Sequence, residues 1–252
     1  MPGPRDVRVY LTPAMIPNGS MTGGVAVVID VLRATTTMLT ALAAGAKCVI
    51  PCASVDEAKA LAGDGVLLAG ERGGRAIPGF DLGNSPDEFT ATVCRNKIIA
   101  ATTTNGTVAI LACRSAETVL LGAFVNFSAA CEQLHADERP VHIVCAGTNG
   151  EPSLEDTLLA GAIVDHLSAT ADVQLNDSAR LAWDCFENHG QILMAALEVS
   201  AGGEALIKVG LGDDLKYAAA IDKLAITATA TFDPPRIQLT GAGIKRRHWQ
   251  HA

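Results

Sequence analysis

Short apolar runs alternate with amphipathic runs through the first two-thirds of the chain. VAVVID at Val25–Asp30 reads as a buried strand ending on a carboxylate. Ala34–Ala44 has helical spacing and closes on Gly45. Lys47–Cys52 is the next strand, and Ser54 then opens a helix to about Leu61, with Glu57 in the capping-box position. Val66–Ala69 and Lys97–Thr102 read as strands, with Pro86 between them in the first turn of a short helix. Gly106–Ala112 is helical, Glu117–Leu121 a strand, Phe127–His135 a helix and Val141–Cys145 a strand. Ser153 then caps a helix to about Leu167.

This alternation predicts an α/β fold: a three-layer α/β/α arrangement with a central sheet flanked by helices. The last third is less regular. Leu175–Glu187, Gln191–Val199, Ala205–Val209 and Asp213–Ile221 have helical spacing, and Ala225–Phe232 reads as a strand. Pro234-Pro235 breaks the chain, and Arg236–Thr240 fits an edge strand. With no Ser/Gly/Pro linker in sight, residues 1–252 are expected to form one compact body. The segment Ala46–Asp56 echoes Ala116–Asn126, and triple threonines stand upstream of each, at Thr35–Thr37 and Thr102–Thr104. Duplication of a βαβ unit and chance likeness between two such units both account for it.

Ligands of such sheets sit where strands run out into helices. That rule gathers four loops: Asp30–Thr37, Glu71–Ser85, Thr102–Thr107 and Ala146–Asp156. Each is polar and rich in Gly, Thr, Asn or acid. The densest is LLAGERGGRAIPGFDLGNSP, Leu67–Pro86, where Glu71, Arg72, Arg75, Asp81, Asn84 and Ser85 share one segment with five glycines. Carboxylates beside arginines suit a metal ion and an anionic substrate.

Composition narrows the classes. Hydrophobic residues make up 49% and aromatics 4%, so the core is built mainly of Ala, Val, Leu and Ile. A net charge of −8 gives no basic footprint for nucleic acid, and the one basic cluster is Lys245-Arg246-Arg247. The seven cysteines form no CxxC pair and several sit in apolar runs, which predicts a reducing, cytoplasmic compartment. No signal-peptide pattern and no membrane-length apolar stretch is present. A homo-oligomer is compatible with the sequence, which does not fix the assembly.

In VVIDVLRATTT, Asp30 can hold a metal or cap the following helix. Position 32 is Leu, which argues against the DxD pair of aspartyl-phosphate phosphatases. Arg33 carries a forked donor set suited to phosphate or sulfonate, or to a structural ion pair. ATTTNGT, Ala101–Thr107, brings hydroxyls and an amide to a helix start, which suits an anion but is not a Walker A loop. In CAGTNGEPSLED, Cys145 lacks the closing arginine of cysteine phosphatases. Glu155 and Asp156 either complement the helix dipole or reach a metal. His142, His166 and His189 form no zinc spacing, and hard oxygen ligands with phosphate favour Mg²⁺.

With these motifs in order, the chain resembles the 2-phosphosulfolactate phosphatase family. VVIDVLRATTT, GERGG with GFDLGNSP, TTTNGT and VCAGTNGEPSLED carry the resemblance, and DSARLAWDCF with the following HG extends it more loosely. The resemblance implies a three-layer α/β fold and Mg²⁺-dependent hydrolysis of 2-phosphosulfolactate to 3-sulfolactate and phosphate, in coenzyme M biosynthesis. Another small phosphorylated hydroxy acid, or a non-catalytic role in binding small anions, are the alternatives. Combining motif and chemistry gives the expected site. Asp30, Arg33 and Glu71 are catalytic. Arg33, Thr35, Arg72, Arg75, Asn84, Ser85, Thr103, Thr104, Asn105 and Gly106 bind substrate. Asp30, Asp81, Glu71 and Glu155 hold the metal.

Overall fold

In the computed structural model, which describes residues 3–240, the apolar runs become the inner strands of one sheet. In chain order the first elements are β1 (Arg5–Tyr10), β2 (Val25–Ile29), α1 (Ala34–Ala43), β3 (Cys48–Pro51), α2 (Val55–Ala60), β4 (Val66–Arg72) and β5 (Arg75–Ala76). Then come α3 (Ala91–Cys94), β6 (Ile98–Thr102), α4 (Gly106–Ala112), β7 (Thr118–Gly122), α5 (Phe127–His135) and β8 (Val141–Cys145). The last third contributes α6 (Leu154–Thr170), β9 (Val173–Leu175), α7 (Asp177–His189), α8 (Leu193–Val199), α9 (Ala201–Lys208), α10 (Asp213–Ala218), β10 (Ala228–Phe232) and β11 (Pro235–Leu239). The pattern of charge and apolar residues in β1 (RDVRVY) hides a strand whose Val7 and Val9 are fully buried. Among the described residues no helix is long and apolar enough to cross a membrane. The basic cluster Lys245–Arg247 lies outside the described residues.

The eleven strands run in the order β5-β4-β6-β3-β11-β10-β7-β2-β8-β1-β9. On one side, β4, β6 and β3 are mutually parallel; on the other, β7, β2, β8, β1 and β9 are. The β10–β11 hairpin lies between them and pairs antiparallel with both β7 and β3. The two parallel blocks therefore run in opposite senses. Sheets twist by about 20–25° per step, so the five steps from β2 to β6 turn the blocks by roughly 100–125°. Their carboxyl ends then converge rather than oppose, and α4 packs on both α1 and β2.

Strand alternation sorts the core into layers. Val25, Val27 and Ile29 of β2 face a core shared with Phe127, Leu158 and Ile163 of the outer helices. Ala26 and Val28, on the opposite face, join Leu39 and Leu42 of α1 and Ile110 of α4 in a second core between the blocks. A smaller cluster under α2 joins Ala58 to Leu68 and Ala100. This is the expected α/β/α layering, in a sheet that is mixed.

Two local expectations need correction. Arg236–Thr240 is not an edge strand: β11 is interior, with Ile237 fully buried opposite Val49. The proline is tolerated because Pro235 is the first residue of its strand. The edges are the short β5 and β9. Ser153 precedes α6, but its hydroxyl makes no capping bond; its carbonyl instead accepts from Thr157. Ser54 does cap α2, accepting from the Glu57 amide.

Candidate active site

The loops after β2, β4, β6 and β8 meet around one cavity of about 230 Å³. Asp30 and Arg33 come from the first, Glu71 from the end of β4 with Gly73 and Gly74 after it, Thr103–Asn105 from the third, and Thr148 and Asn149 from the fourth. Asn84 adds to the floor, and α9 closes a side with Gly202, Ala205 and Leu206.

Asp30 sits where two helix starts converge. Its Oδ1 accepts from the Ala34 amide at the start of α1, at 2.9 Å. Its Oδ2 lies against Gly106, the first residue of α4: a methyl there would stand 2.5 Å from Oδ2 and 2.3 Å from Ala34 Cβ. Two positive helix ends brought together gain from a carboxylate between them. The side chain is nonetheless buried, and burial pushes its pKa up to about 7. The nearby Glu155 and Glu71 charges push the same way; the Ala34 amide and Arg33 oppose them.

Thr103 occupies the matching place after β6. Its hydroxyl accepts from the Thr107 amide, and its own amide donates to the Thr107 hydroxyl. Asp30 repeats the scheme: its amide donates to the Thr35 hydroxyl while its side chain accepts from Ala34. The two strand ends are thus built alike, one finished with a carboxylate and one with a hydroxyl.

Glu71 joins two of the loops. Oε1 accepts from the Thr104 amide and Oε2 from the Gly74 amide, both at 2.8 Å. Gly73 and Gly74 both have positive φ, as a two-residue hairpin between β4 and β5 requires. Arg33 follows a cis peptide bond and is 5% exposed. Nη2 donates to the Gly74 carbonyl at 2.9 Å and Nη1 to Asp214 at 2.6 Å. Asn105 Oδ1 accepts from the Asn149 amide and so ties the third loop to the fourth.

Two more acids stand at the start of α6. Asp156 is a strap: its oxygens accept from Val31 and Gly147. Burial raises its pKa well above the usual range, and the Asp30 and Glu155 charges add to that. Glu155 lies directly behind Gly202, where a methyl would come within 2.3 Å of Oε1. Its Oε2 is buried without a hydrogen-bond partner. Burial raises its pKa too.

The profile of the 2-phosphosulpholactate phosphatase family matches residues 10–231 of this chain. The chain belongs to the 2-phosphosulfolactate phosphatase family. It is thereby an enzyme of the phosphoric monoester hydrolase class. A relative in Symbiobacterium thermophilum, named "Probable 2-phosphosulfolactate phosphatase", is 41% identical over 220 residues, covering 85% of this chain and 94% of its own. Proteins of the same name in Thermotoga petrophila and Deinococcus radiodurans are 44% and 42% identical, covering 76% and 81% of this chain and 82% and 87% of theirs.

For this 2-phosphosulfolactate phosphatase family member, the structure divides the expected site residues into two groups. Asp30, Arg33, Glu71, Asn84, Thr103, Thr104 and Asn105 line the cavity. Gly106 adjoins it through its contact with Asp30. The rest stand elsewhere. Thr35 is fully buried, its hydroxyl donating to the Asp30 and Gly122 carbonyls, so it shapes the strand end rather than meeting ligand. Arg72 is exposed and folds back onto the Glu71 carbonyl and the Thr102 hydroxyl. Arg75 is exposed on β5. Ser85 points its hydroxyl at Asp214.

Asp81 is a correction to the expected metal set. It is exposed, and its Oδ2 accepts from the Leu68 amide inside β4 rather than facing Asp30. A loop that returns alongside a strand spends its carboxylate on that strand's backbone. Sequence reasoning missed Asp214, Thr148, Asn149 and the α9 wall. Thr148 and Asn149 lie within the marked motif VCAGTNGEPSLED; Asp214 and the α9 residues carry no local signal.

Among the described residues no group of three or more His, Cys, Asp or Glu side chains is gathered to cage a metal. Mg²⁺ needs no such cage: it keeps several waters and binds through one or two carboxylates plus substrate phosphate. Asp30 and Glu71 in the cavity wall are hard-oxygen groups, Asp30 with Oδ2 beside the Ala34 bond and Glu71 with lone pairs beyond the two amide bonds it accepts. These residues fit Mg²⁺.

Proposed function

We propose that this chain is a cytoplasmic, Mg²⁺-dependent phosphatase that hydrolyses 2-phosphosulfolactate to 3-sulfolactate and phosphate, a step of coenzyme M biosynthesis. One observation carries the reading: two cavity carboxylates, Asp30 and Glu71, stand beside a buried, oriented guanidinium, Arg33, where loop starts of two helices meet.

Asp30, through the Oδ2 left free by the Ala34 bond, and Glu71 would hold the ion, with Glu155 supporting from behind. Bound Mg²⁺ would offset phosphoryl charge and orient water. Arg33 offers its remaining donors to the phosphoryl oxygens. The Thr103–Asn105 loop adds polar groups on the facing side, and Leu206 and Ala205 present an apolar surface that excludes bulk water. Water attacks phosphorus: the new O–P bond forms as the ester P–O bond breaks, one water proton stays with the phosphate and the other passes to the leaving oxygen, which becomes the hydroxyl of sulfolactate. No protein nucleophile is required. Cys145 is fully buried in an apolar cluster outside the cavity, and burial holds its thiol pKa far above neutrality.

One observation favours a broader substrate range. Arg33 is the sole cationic side chain lining the cavity among the described residues, and Asp214 already pairs it. A less charged phosphorylated hydroxy acid suits the same site. Phosphate release from 2-phosphosulfolactate and from phospholactate, each with and without Mg²⁺, tests both readings. Mg²⁺-dependent release favouring the sulfonate ester supports the first, and equal release from both supports the second. Phosphate binding with no release from either would make the chain an anion binder.

A further inference from the structure

Asp214 comes from α10, in the last third of the chain, yet it reaches the one guanidinium that lines the cavity among the described residues. Its Oδ2 accepts from Arg33 Nη1 at 2.6 Å, and both side chains are 3% exposed. Its Oδ1 accepts from the Ser85 hydroxyl at 2.5 Å. One buried carboxylate therefore ties the start of α1 to the start of the 3₁₀ turn Pro86–Glu88.

The other arm of Arg33 is fixed too, because Nη2 donates to the Gly74 carbonyl. Gly74 in turn donates its amide to Glu71, which also accepts from Thr104. The bonds form one continuous path: Ser85, Asp214, Arg33, Gly74, Glu71, Thr104. With two points of its planar fork held, the guanidinium has a single orientation in the cavity wall.

We propose that Asp214 is a positioning residue for catalysis: it sets the plane of Arg33 so that the free donors meet the phosphoryl group in the transition state. This rests on the phosphatase reading above. Arg33 alone would still attract phosphate by charge. A buried arginine freed of Asp214 would keep that attraction and lose its direction. Turnover would then suffer while ground-state phosphate binding would not.

The test is a double-mutant cycle on the full chain with two readouts, 2-phosphosulfolactate turnover and inorganic phosphate affinity by calorimetry. Asp214→Asn should lower kcat by about tenfold or more while phosphate affinity stays within about threefold or tightens. In an Arg33→Met background the same change should alter residual kcat by less than about twofold, since the path to the substrate is gone. Equal losses in both backgrounds, or parallel losses of kcat and phosphate affinity, would overturn the proposal. Should Asp214→Asn not fold, Asp214→Glu, which keeps the charge but displaces the carboxylate, is run in both backgrounds against the same criteria. If wild-type protein releases no phosphate from this ester, the phosphatase reading fails. The positioning role is then judged by binding alone: Asp214→Asn should change the orientation-sensitive affinity for vanadate more than that for phosphate, and equal changes would reject it.

Discussion

The Cα of Gly106 lies against the carboxylate of Asp30, so closely that a methyl there would come within 2.5 Å of Oδ2. Helix α4 can start at that point only because its first residue has no side chain. Gly106→Ala should push the Thr103–Asn105 loop away from Asp30. A misplacement near one ångström costs on the order of 100-fold in rate, so kcat/KM should fall by about that much. Thermal unfolding alongside a phosphate-release assay checks it; unchanged kcat/KM in a folded variant would separate α4 from the chemistry.

Asp30 should make stability depend on pH in the metal-free protein. Its folded pKa of about 7 lies above the ordinary value of 3.8. The folded state therefore keeps a proton that the unfolded state gives up between those values. The stability this contributes is full at low pH and is lost as pH rises through about 7. Asp30→Asn does not titrate, so its stability relative to wild type should rise between about pH 4 and about pH 7 and level off above that. Urea unfolding in a chelator reads it. Turnover of the variant should fall by at least about 1,000-fold, since the proposed metal ligand is gone.

Arginines in the site loop should divide sharply. Arg33→Lys keeps the charge but cannot reach both Asp214 and Gly74, so kcat/KM should fall by about 100-fold. Arg75→Ala, on an exposed edge strand, should stay within about threefold of wild type. A large loss in Arg75→Ala on a folded protein would mean that β5 moves onto the substrate.

Cys145→Ala should keep kcat within about twofold while lowering the melting temperature, because the thiol fills an apolar core and takes no part in bond making. Loss of turnover with the melting temperature intact would restore the cysteine to the mechanism.

Much of the site was legible in the sequence because its parts sit at strand ends, where polar residues interrupt apolar runs. Asp30, Glu71 and the threonines from Thr103 stand out by that contrast. Asp214 does not: an acid in the first turn of a short helix is ordinary, and only long-range folding brings it to Arg33. Arg72, Arg75 and Asp81 had the right chemistry on the right loop, but a strand edge has two sides. Sequence spacing does not tell which side a side chain takes. Strand β1 stayed hidden because charged residues interrupt its apolar face, and β11 was read as a strand but placed at the edge because a leading proline mimics one.

The β10–β11 hairpin also sets an order of events. The two parallel blocks, each assembled from earlier sequence, have β3 and β7 as facing edges, and within the sheet residues 228–239 join them. A chain in which that stretch has not paired carries two unpaired, apolar strand edges, those of β3 and β7. Such edges are where chains pair wrongly with one another. Folding here depends on contacts between distant parts of the sequence, which are slow to form. Pairing of the hairpin with both blocks thus fixes the sheet that holds the Asp30 and Thr103 strand ends on one cavity.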